Sequence, residues 1–214
     1  MPHVYDFARP AVTVDVIALR LQASVLQVLT TRRKEPPFRG RLALPGTFVH
    51  DTETLDDAAT RVLRDKANLS GVYLEQLYTF GALKRDPRDR VISVAYLAIL
   101  AADAIEHTTG RWIEADEPPA LAFDHKTILA TAIERLDAKL SYSSIGLRFL
   151  PARFTRAQAQ TAYEALLGQT LDKRNFAKQF AGYSDVVDTG EKKTGGAHRP
   201  AQLFELADRN RLTY

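Results

Sequence analysis

The sequence contains no cysteine, and it has a single methionine and a single tryptophan among its 214 residues. Without cysteine the chain has neither disulfide bonds nor thiolate metal ligands, as is common in a reducing compartment. It also lacks any apolar run near the roughly 18 residues that a membrane-spanning helix needs, and its opening residues do not show the basic and then apolar order of a signal peptide. These absences predict a cytoplasmic protein without a membrane partner.

The charges of the chain are unevenly distributed. Hydrophobic residues make up 45% of the sequence and charged residues 26%, which is typical of a folded globular protein. Residues 1–150 hold 19 Lys and Arg against 19 Asp and Glu, whereas residues 151–214 hold 10 against 7. The whole excess of the net charge of +3 therefore lies in the C-terminal third. It favours a polyanionic partner there, although a solvated basic face is the more ordinary explanation of such a surplus.

Residues 44–69 have the pattern of a tight turn that leads into a helix. Pro45 and Gly46 form a turn signal, and apolar residues recur behind them at helical spacing. Acidic residues stand near the start of this helix, where the helix dipole favours negative charge. The segment resembles the Nudix box, G-x5-E-x7-R-E-U-x-E-E-x-G-U with U aliphatic. Glu53 and Arg61 take the first Glu and the Arg of that motif, at the required separation of seven residues.

Other positions of the motif depart from the Nudix consensus. Carboxylates at positions i, i+3 and i+4 share one helix face and together hold a hard cation such as Mg²⁺. Here that face offers Val62, Asp65 and Lys66. A lysine ammonium about 4 Å from a metal ion costs on the order of several kcal/mol even at an effective dielectric constant of roughly 20. The sequence therefore predicts a retained fold without metal, cofactor or catalytic residues; an amphipathic helix with chance charges is the alternative. The remaining departures are Thr47 and Asn68 in place of glycines.

Runs rich in β-formers surround this segment and predict two pairs of strands. They are residues 11–20 and 24–31, and residues 77–83 and 91–100. Trp112 predicts the start of a further short strand, and an apolar stripe behind Asp124 predicts a helix that Asp124 caps. His125 lies in the first turn of that helix, where a packed or exposed side chain is a simpler interpretation than a ligand contact.

Basic loops flank the predicted strands. The turn RDPR at residues 85–88 resembles a segment of the ADP-ribose and sugar-nucleotide branch of the Nudix superfamily. Guanidinium groups bind diphosphate oxygens without a metal. The resemblance implies a small-molecule effector pocket, while solvated loop charges and a plain polar hairpin turn are the alternatives. The candidate ligand residues are Arg33, Arg39, Phe48, Glu53, Arg61, Arg85, Asp86, Arg90 and Tyr96.

The C-terminal part has the pattern of two short helices and a hairpin. Thr155 predicts the N-cap of a helix that Gly168 ends, and residues 171–180 predict a second helix. Two strand-like runs follow, residues 185–189 and 201–206, with a basic loop between them. This order is that of a winged helix-turn-helix, whose second helix enters the major groove of DNA. A helical hairpin with a polar β-loop and no nucleic-acid role is the alternative.

The runs LDKRNFAKQF and GEKKTGGAHRPAQLF resemble the winged helix of the Nudix-related transcriptional regulators of the NrtR type. The resemblance covers nearly the whole chain. It implies an α+β fold, with a Nudix-like effector-binding domain at residues 1–150 that is an α/β/α sandwich with a mixed sheet. A winged helix-turn-helix DNA-binding domain follows at residues 151–214.

The same resemblance implies a function. It is that of a ligand-responsive repressor of NAD-biosynthesis or related metabolic genes, which senses an ADP-ribose-like effector and binds double-stranded operator DNA as a homodimer. An active Nudix hydrolase with a C-terminal extension and a protein-interaction module are the competing hypotheses. Arg174 and Asn175 have the chemistry to read base edges, and the surrounding lysines suit phosphates. The candidate DNA-binding residues are Lys173, Arg174, Asn175, Lys178, Lys192, Lys193, His198 and Arg199.

Overall fold

The computed structural model describes residues 6–103, 109–193 and 200–208. Its strands are β1 (Ala11–Gln22), β2 (Val25–Arg32), β3 (Leu42–Ala43), β4 (Gly46–Phe48), β5 (Tyr73–Phe80), β6 (Val91–Ile99), β7 (Arg111–Glu114), β8 (Val186–Lys193) and β9 (Ala201–Leu206). Its helices are α1 (Leu55–Val62), α2 (His125–Leu140), α3 (Arg156–Leu167) and α4 (Lys173–Ala181). A π-helical turn (Leu63–Ala67) continues α1, and a 3₁₀ helix (Ile145–Phe149) follows α2. Within the described ranges, no helix has the length and apolar character needed to cross a membrane.

Strand β1 lies at the centre of a mixed seven-stranded sheet whose main path is β3-β2-β1-β6-β5. It runs parallel to β6, with Ala11 opposite Val91 and Leu19 opposite Ile99. The predicted strand pairs are present, because β2 lies antiparallel to β1 and β5 lies antiparallel to β6. β4 pairs with the first half of β1, and β7 pairs with β2. The predicted mixed sheet is therefore confirmed.

The side chains of β1 alternate between the two faces of the sheet, as the pleat of a strand requires. Val14 and Val16 pack with α1 and the π-helical turn, whereas Ile17 and Leu19 pack with α2. All four are fully buried. Burying one such aliphatic side chain contributes about 1.5–3 kcal/mol. Both faces of the sheet thus hold a helix, which confirms the predicted α/β/α sandwich.

The helices of the C-terminal part begin and end at residues that satisfy their free backbone groups. The Thr155 hydroxyl accepts from the N–H of Gln158, and the Gln158 side chain accepts from the N–H of Thr155, so the predicted N-cap of α3 is confirmed. Gly168 ends α3 in the left-handed region at φ +63, as predicted. The second helix begins at Lys173, two residues later than predicted, because Asp172 has extended backbone and accepts from the N–H of Asn175 at 2.9 Å.

Aromatic side chains join the two helices of the C-terminal part to its hairpin. The backbone of Phe154 pairs with that of Phe204 in β9 through two hydrogen bonds of 2.9 and 2.8 Å. The ring of Phe180 in α4 packs edge-on against Phe204 at 5.0 Å. Tyr163 of α3 is fully buried beside Phe176. The arrangement is the predicted winged helix-turn-helix.

The two parts of the chain share one hydrophobic core. Leu140 of α2, Leu147 of the 3₁₀ helix and Tyr163 of α3 belong to the same buried cluster. Gly146 lies where this packing is tightest, because a Cβ atom there would stand 2.7 Å from the Tyr163 ring and 2.9 Å from Leu140. The proposed domain boundary between residues 150 and 151 adjoins this core and stays a prediction.

Candidate functional site

A cavity of about 540 Å³ opens between β1, the loop after β2, the Nudix-box turn and the start of α2. Six basic side chains and three carboxylates are among the residues that line it. Such an excess of positive charge suits an anionic ligand. The basic residues are Arg32, Arg33, Lys34, Lys66, Arg85 and Arg88, and the acidic residues are Asp15, Glu35 and Asp86.

Arg85 is the centre of a buried ion network at the base of this cavity. Its guanidinium donates to both oxygens of Asp124, from Nε at 2.9 Å and from Nη2 at 2.8 Å. The same Nη2 lies 3.3 Å from Asp15, which also accepts a 2.5 Å hydrogen bond from Ser93. A buried charge costs several kcal/mol unless it is paired in this way. Arg85 is therefore committed to holding the loop between β5 and β6 against β1 and α2.

Asp124 differs from its predicted role. It precedes α2 as expected, but its side chain makes no capping hydrogen bond. The reason is that the bidentate contact with Arg85 occupies both carboxylate oxygens, and a charge-assisted pair is stronger than a single cap. The prediction of Asp124 as a side-chain cap was wrong, whereas the helix that it predicted is present.

His125 is packed inside the protein and has the hydrogen-bonding pattern of a neutral imidazole. Its Nδ1 accepts from the backbone N–H of Leu44 at 2.8 Å, which leaves the hydrogen on Nε2. Nε2 faces Asp15 at 3.6 Å. Burial lowers the pKa of His125, while the charges of Asp15 and Asp124 act in the opposite direction. Its main contribution is to tie the Nudix-box turn to the start of α2.

Two guanidinium groups lie close to an aromatic ring in the cavity. Arg33 lies over the ring of Phe123 at 4.6 Å from the ring centroid, and Arg88 lies 5.7 Å from the centroids of Phe123 and Phe48. Phe38 packs edge-on against Phe123 at 5.0 Å. Phe48 is 44% exposed. Ring faces next to guanidinium groups offer stacking for a flat ligand ring and charge for its phosphates.

Both guanidinium groups are oriented by the protein. Arg33 donates to the backbone carbonyls of Pro37 at 2.7 Å and Glu35 at 3.3 Å. Arg88 forms a bidentate pair with Asp86 at 3.0 and 2.6 Å. This hydrogen bond from Arg88 is the main reason why the pKa of Asp86 is lowered. A guanidinium has five N–H donors, so each arginine keeps donors for a ligand.

The Glu53 and Arg61 side chains of the Nudix box are engaged with each other. Arg61 donates to both Glu53 oxygens at 2.9 and 2.5 Å and to the Phe48 carbonyl at 3.0 Å. The hydrogen bonds from Arg61 are the main cause that lowers the pKa of Glu53 to about 2. The pair therefore acts as a clamp between α1 and the turn that precedes it.

The three positions that carry acidic residues in the Nudix consensus do not form a cation site. Val62 is buried in the core, and Asp65 pairs with Arg64 at 2.8 Å. The Lys66 ammonium donates to the carbonyl of Gly46. Across the part of the chain that the structure describes, no group of three or more His, Cys, Asp or Glu gathers to hold a metal. A positive side chain at this place does not fit a divalent cation.

The candidate DNA-binding surface is the outer side of α4. Phe176 and Phe180 are buried and fix the helix on the core, which turns its polar positions outward. Lys192 and Lys193 are exposed in β8, where they pair with Gln202 and Ala201 of β9. His198 and Arg199 lie outside the described residues. The exposed polar residues of α4 include Lys173, Arg174, Asn175 and Lys178.

Two known domain families match the chain, each over one of its parts. The NUDIX domain matches residues 9–135, and the NrtR DNA-binding winged helix domain matches residues 146–206. The ADPR responsive transcriptional repressor NtrR of Acinetobacter baylyi is 33% identical over 211 residues, which cover 94% of this chain and 84% of that relative. The chain belongs to the NrtR family of Nudix-related regulators.

Solved structures of NrtR from Shewanella oneidensis are similar to this chain at 32% identity. The complex with a 27mer DNA has a TM-score of 0.82 and covers 91% of this chain and 93% of that one. The NUDIX domain complexed with ADP ribose has a TM-score of 0.54 and covers 62% of this chain and 94% of that one. An ADP-ribose pyrophosphatase of Methanocaldococcus jannaschii is 30% identical over 127 residues, 58% of this chain and 73% of its own.

The ligand residues predicted from the sequence fall into two groups. Arg33, Phe48, Arg85 and Asp86 line the cavity. The others are not among the residues that line the cavity, and Glu53 and Arg61 are engaged in their mutual clamp. Arg39 pairs with Glu35 in solvent at 3.3 Å, Arg90 donates to the Gly81 carbonyl at 2.8 Å, and the buried Tyr96 hydroxyl donates to Asp56 at 2.6 Å.

The cavity residues that were not among the ligand candidates include Arg88, Phe123 and Lys66. Arg88 belongs to the same RDPR turn as Arg85, and nothing local in the sequence distinguishes the arginine that turns inward from its neighbours. Phe123 precedes His125 and adopts a positive φ of 54, which a pattern of apolar residues does not reveal. The sequence identifies Lys66 only as a replacement for a metal ligand of the Nudix box. Its reach to Gly46 depends on the π-helical turn at the end of α1.

Proposed function

We propose that this protein is an ADP-ribose-responsive transcriptional repressor that acts in the compartment of its DNA, the cytoplasm. The observation that carries the proposal is the cavity in which Arg33 and Arg88 lie close to the ring of Phe123. Two guanidinium groups at a ring face match a ligand that combines a diphosphate with flat or sugar rings. The names of the Acinetobacter and Shewanella relatives support the same ligand class and the same role.

The proposed partner of the C-terminal part is double-stranded operator DNA. Arg174 and Asn175 lie exposed in the first turn of α4, where a groove-entering helix presents side chains to base edges. The DNA complex of the Shewanella protein supports this use of the fold. We infer a homodimer on a palindrome of roughly 20 base pairs, because two-fold proteins read half-sites about one helical turn apart. Genes of NAD biosynthesis or related metabolism are the proposed targets.

The test is a DNA-binding titration by fluorescence anisotropy. DNA upstream of the protein's own gene neighbourhood is compared with a scrambled duplex, in the presence of ADP-ribose, NAD, ATP or a sugar phosphate. We expect tighter binding to the upstream DNA and a change of at least about fivefold with ADP-ribose, the lower end of ordinary allosteric coupling. Equal binding to both duplexes would refute the repressor role. It would favour the competing hypothesis that the C-terminal part is a protein-interaction module. An affinity unchanged by every ligand would refute the sensor role.

The competing function is hydrolysis of ADP-ribose, which the resemblance to the Methanocaldococcus pyrophosphatase favours. Against it, Lys66 brings a positive charge to the place of a metal ligand, and Arg61 occupies both oxygens of Glu53. We expect turnover well below about 1 per second with Mg²⁺, below the usual range of enzymes. The measurement is release of AMP from ADP-ribose, with the pyrophosphatase as positive control, and ordinary enzymatic turnover would establish the hydrolase instead.

A further inference from the structure

Positions 62, 65 and 66 are those that carry acidic residues in the Nudix consensus. Of these three, position 66 is the one that faces the cavity. Val62 is buried in the core, and Asp65 pairs with Arg64 on the solvent side. Lys66 instead lines the cavity and donates from its ammonium group to the carbonyl of Gly46. The turn at Gly46 is held on β1, because Gly46 pairs with Asp15 in the ladder between β4 and β1 and the Pro45 carbonyl accepts from the N–H of Val16 at 2.8 Å. The ammonium is thus anchored on a fixed backbone oxygen.

The charge of this ammonium is not neutralised by its acceptor. The acceptor of Lys66 is a neutral carbonyl. Arg33 and Arg32 also donate to neutral carbonyls, those of Pro37 and Gly40. The pKa of Lys66 is lowered, chiefly because surrounding protein displaces water from the ammonium; Asp15 raises it, and Arg33 lowers it further. Lys66 and Arg33 therefore carry like charges that act on each other in the cavity, and a bound anion relieves their repulsion.

We propose that Lys66 occupies the cation position of the Nudix box and binds the diphosphate of the effector directly, so that effector binding needs no divalent metal. The inference rests on the proposed function, since it assumes a diphosphate-bearing ligand. An ammonium has three N–H donors. Gly46 accepts one of them, and no other described residue accepts from Lys66. The remaining donors form charge-assisted hydrogen bonds to phosphate oxygens, while Arg33 and Arg88 supply the rest of the positive charge.

The experiment is calorimetry of the full-length protein with ADP-ribose and, separately, with inorganic pyrophosphate. Each titration is done with Mg²⁺ and with a chelator. The variants are Lys66→Met, which keeps the length of the side chain and removes its charge, and Lys66→Arg, which keeps the charge. The matched control is Arg64→Met, on the same π-helical turn but outside the cavity lining. Thermal unfolding of each variant reports whether the fold is intact.

We expect wild-type affinity to be the same within about twofold with Mg²⁺ and with chelator. Loss of one charge-assisted contact is worth about ten- to a hundredfold in affinity, so Lys66→Met should weaken both ligands by that factor. Lys66→Arg should recover most of the binding, and Arg64→Met should bind as the wild type does. If Lys66→Met unfolds at a clearly lower temperature than the wild type, its affinity is not used. Lys66→Arg is then titrated in the presence of the chelator, and the inference requires that it still binds both ligands.

Three outcomes overturn the inference. They are wild-type binding that is lost with the chelator, an affinity of Lys66→Met equal to that of the wild type, and equal losses in Lys66→Met and Arg64→Met. Failure of the proposed function has a different signature. If pyrophosphate binds with the expected dependence on Lys66 while ADP-ribose does not bind, the effector is wrong and the role of Lys66 stands. If neither ligand binds the wild type, both proposals fall.

Discussion

Arginines of the turn between β5 and β6 have three different tasks, although they stand within six residues of one another. Arg85 is buried and forms an ion pair with Asp124. Arg90 donates to the backbone carbonyl of Gly81, and Arg88 faces the cavity. Sequence reasoning selected Arg85 and Arg90 as ligand residues. The residue type identified the region of the cavity, but the direction of each side chain depends on partners that are distant in sequence, such as Asp124.

Arg88 therefore carries the first prediction at the residue scale. Arg88→Ala should weaken ADP-ribose binding by about tenfold or more, because it removes a guanidinium donor and leaves Asp86 unneutralised in the cavity. Arg39→Ala is the matched control, since Arg39 is exposed and does not line the cavity. Isothermal titration calorimetry measures both affinities. Equal losses in the two variants would show that general positive charge, and not the placement of Arg88, attracts the ligand.

Glu53 gives a prediction of pH dependence. Its folded pKa of about 2 is lower than the unfolded value of about 4.3, chiefly because of the hydrogen bonds from Arg61. A lowered pKa means that the contribution to stability is complete above the unfolded value and is lost as the pH falls towards 2. Wild type should melt at a higher temperature than Glu53→Gln near neutral pH, and the difference should shrink in acid. Calorimetric melting of both proteins and of the control Glu35→Gln tests this; a difference that is constant with pH would contradict it.

At the scale of elements, local patterns predicted which helices and strands the chain forms. Long-range contacts determine how the strands pair and which side chains cap the helices. The Thr155 cap and the Gly168 end of α3 follow from the residues themselves. The parallel pairing of β1 with β6 joins strands that are separated in the chain by three strands, α1 and β5, and no local signal specifies it. Asp124 shows the same limit, because Arg85 took the carboxylate that was expected to cap α2.

Gly146 permits a prediction about the contact between the 3₁₀ helix and α3. Gly146→Ala should lower the free energy of unfolding by about 1–3 kcal/mol, because overpacking forces the Tyr163 ring and Leu140 to shift. Gly81→Ala is the control, since a Cβ atom there meets only Arg90 Nη2, at 3.8 Å. Urea denaturation measures both variants. A Gly146→Ala protein as stable as Gly81→Ala would show that the interface is looser than the packing indicates.

At the scale of the whole molecule, the folds of the two parts and their order in the chain were predictable. The reason is that each part contains its own family motif, the Nudix box in the first and the winged-helix runs in the second. The alternation of Val14, Val16, Ile17 and Leu19 between the faces of β1 also follows from sequence. The shared core was not predicted, since periodicity describes one element at a time and does not reveal which faces meet. Of the arginines predicted as ligand residues, Arg33 and Arg85 line the cavity, whereas the places of Phe123 and Lys66 in its lining are apparent only from the fold.

The DNA-binding prediction also belongs to this scale, because a dimer applies each contact twice. Arg174→Ala should weaken operator binding and leave scrambled DNA nearly unaffected, since a bidentate base contact is worth roughly 1–3 kcal/mol of discrimination. Lys193→Ala should weaken both duplexes and reduce the slope of the salt dependence. Anisotropy titrations over a salt series measure these effects. Equal effects of the two substitutions on both duplexes would refute the division between base and phosphate contacts.

Because Leu140, Leu147 and Tyr163 share one core, we expect the effector-binding part and the DNA-binding part to unfold as one cooperative unit. An opening that frees α4 from Phe204 disturbs packing that continues towards the sheet, and so it competes with ligand binding. Ligand at one hundred times its Kd adds about 2.7 kcal/mol to the cost of any opening that destroys its site. Amide hydrogen exchange in α4 should therefore slow when the distant cavity is filled, even without DNA.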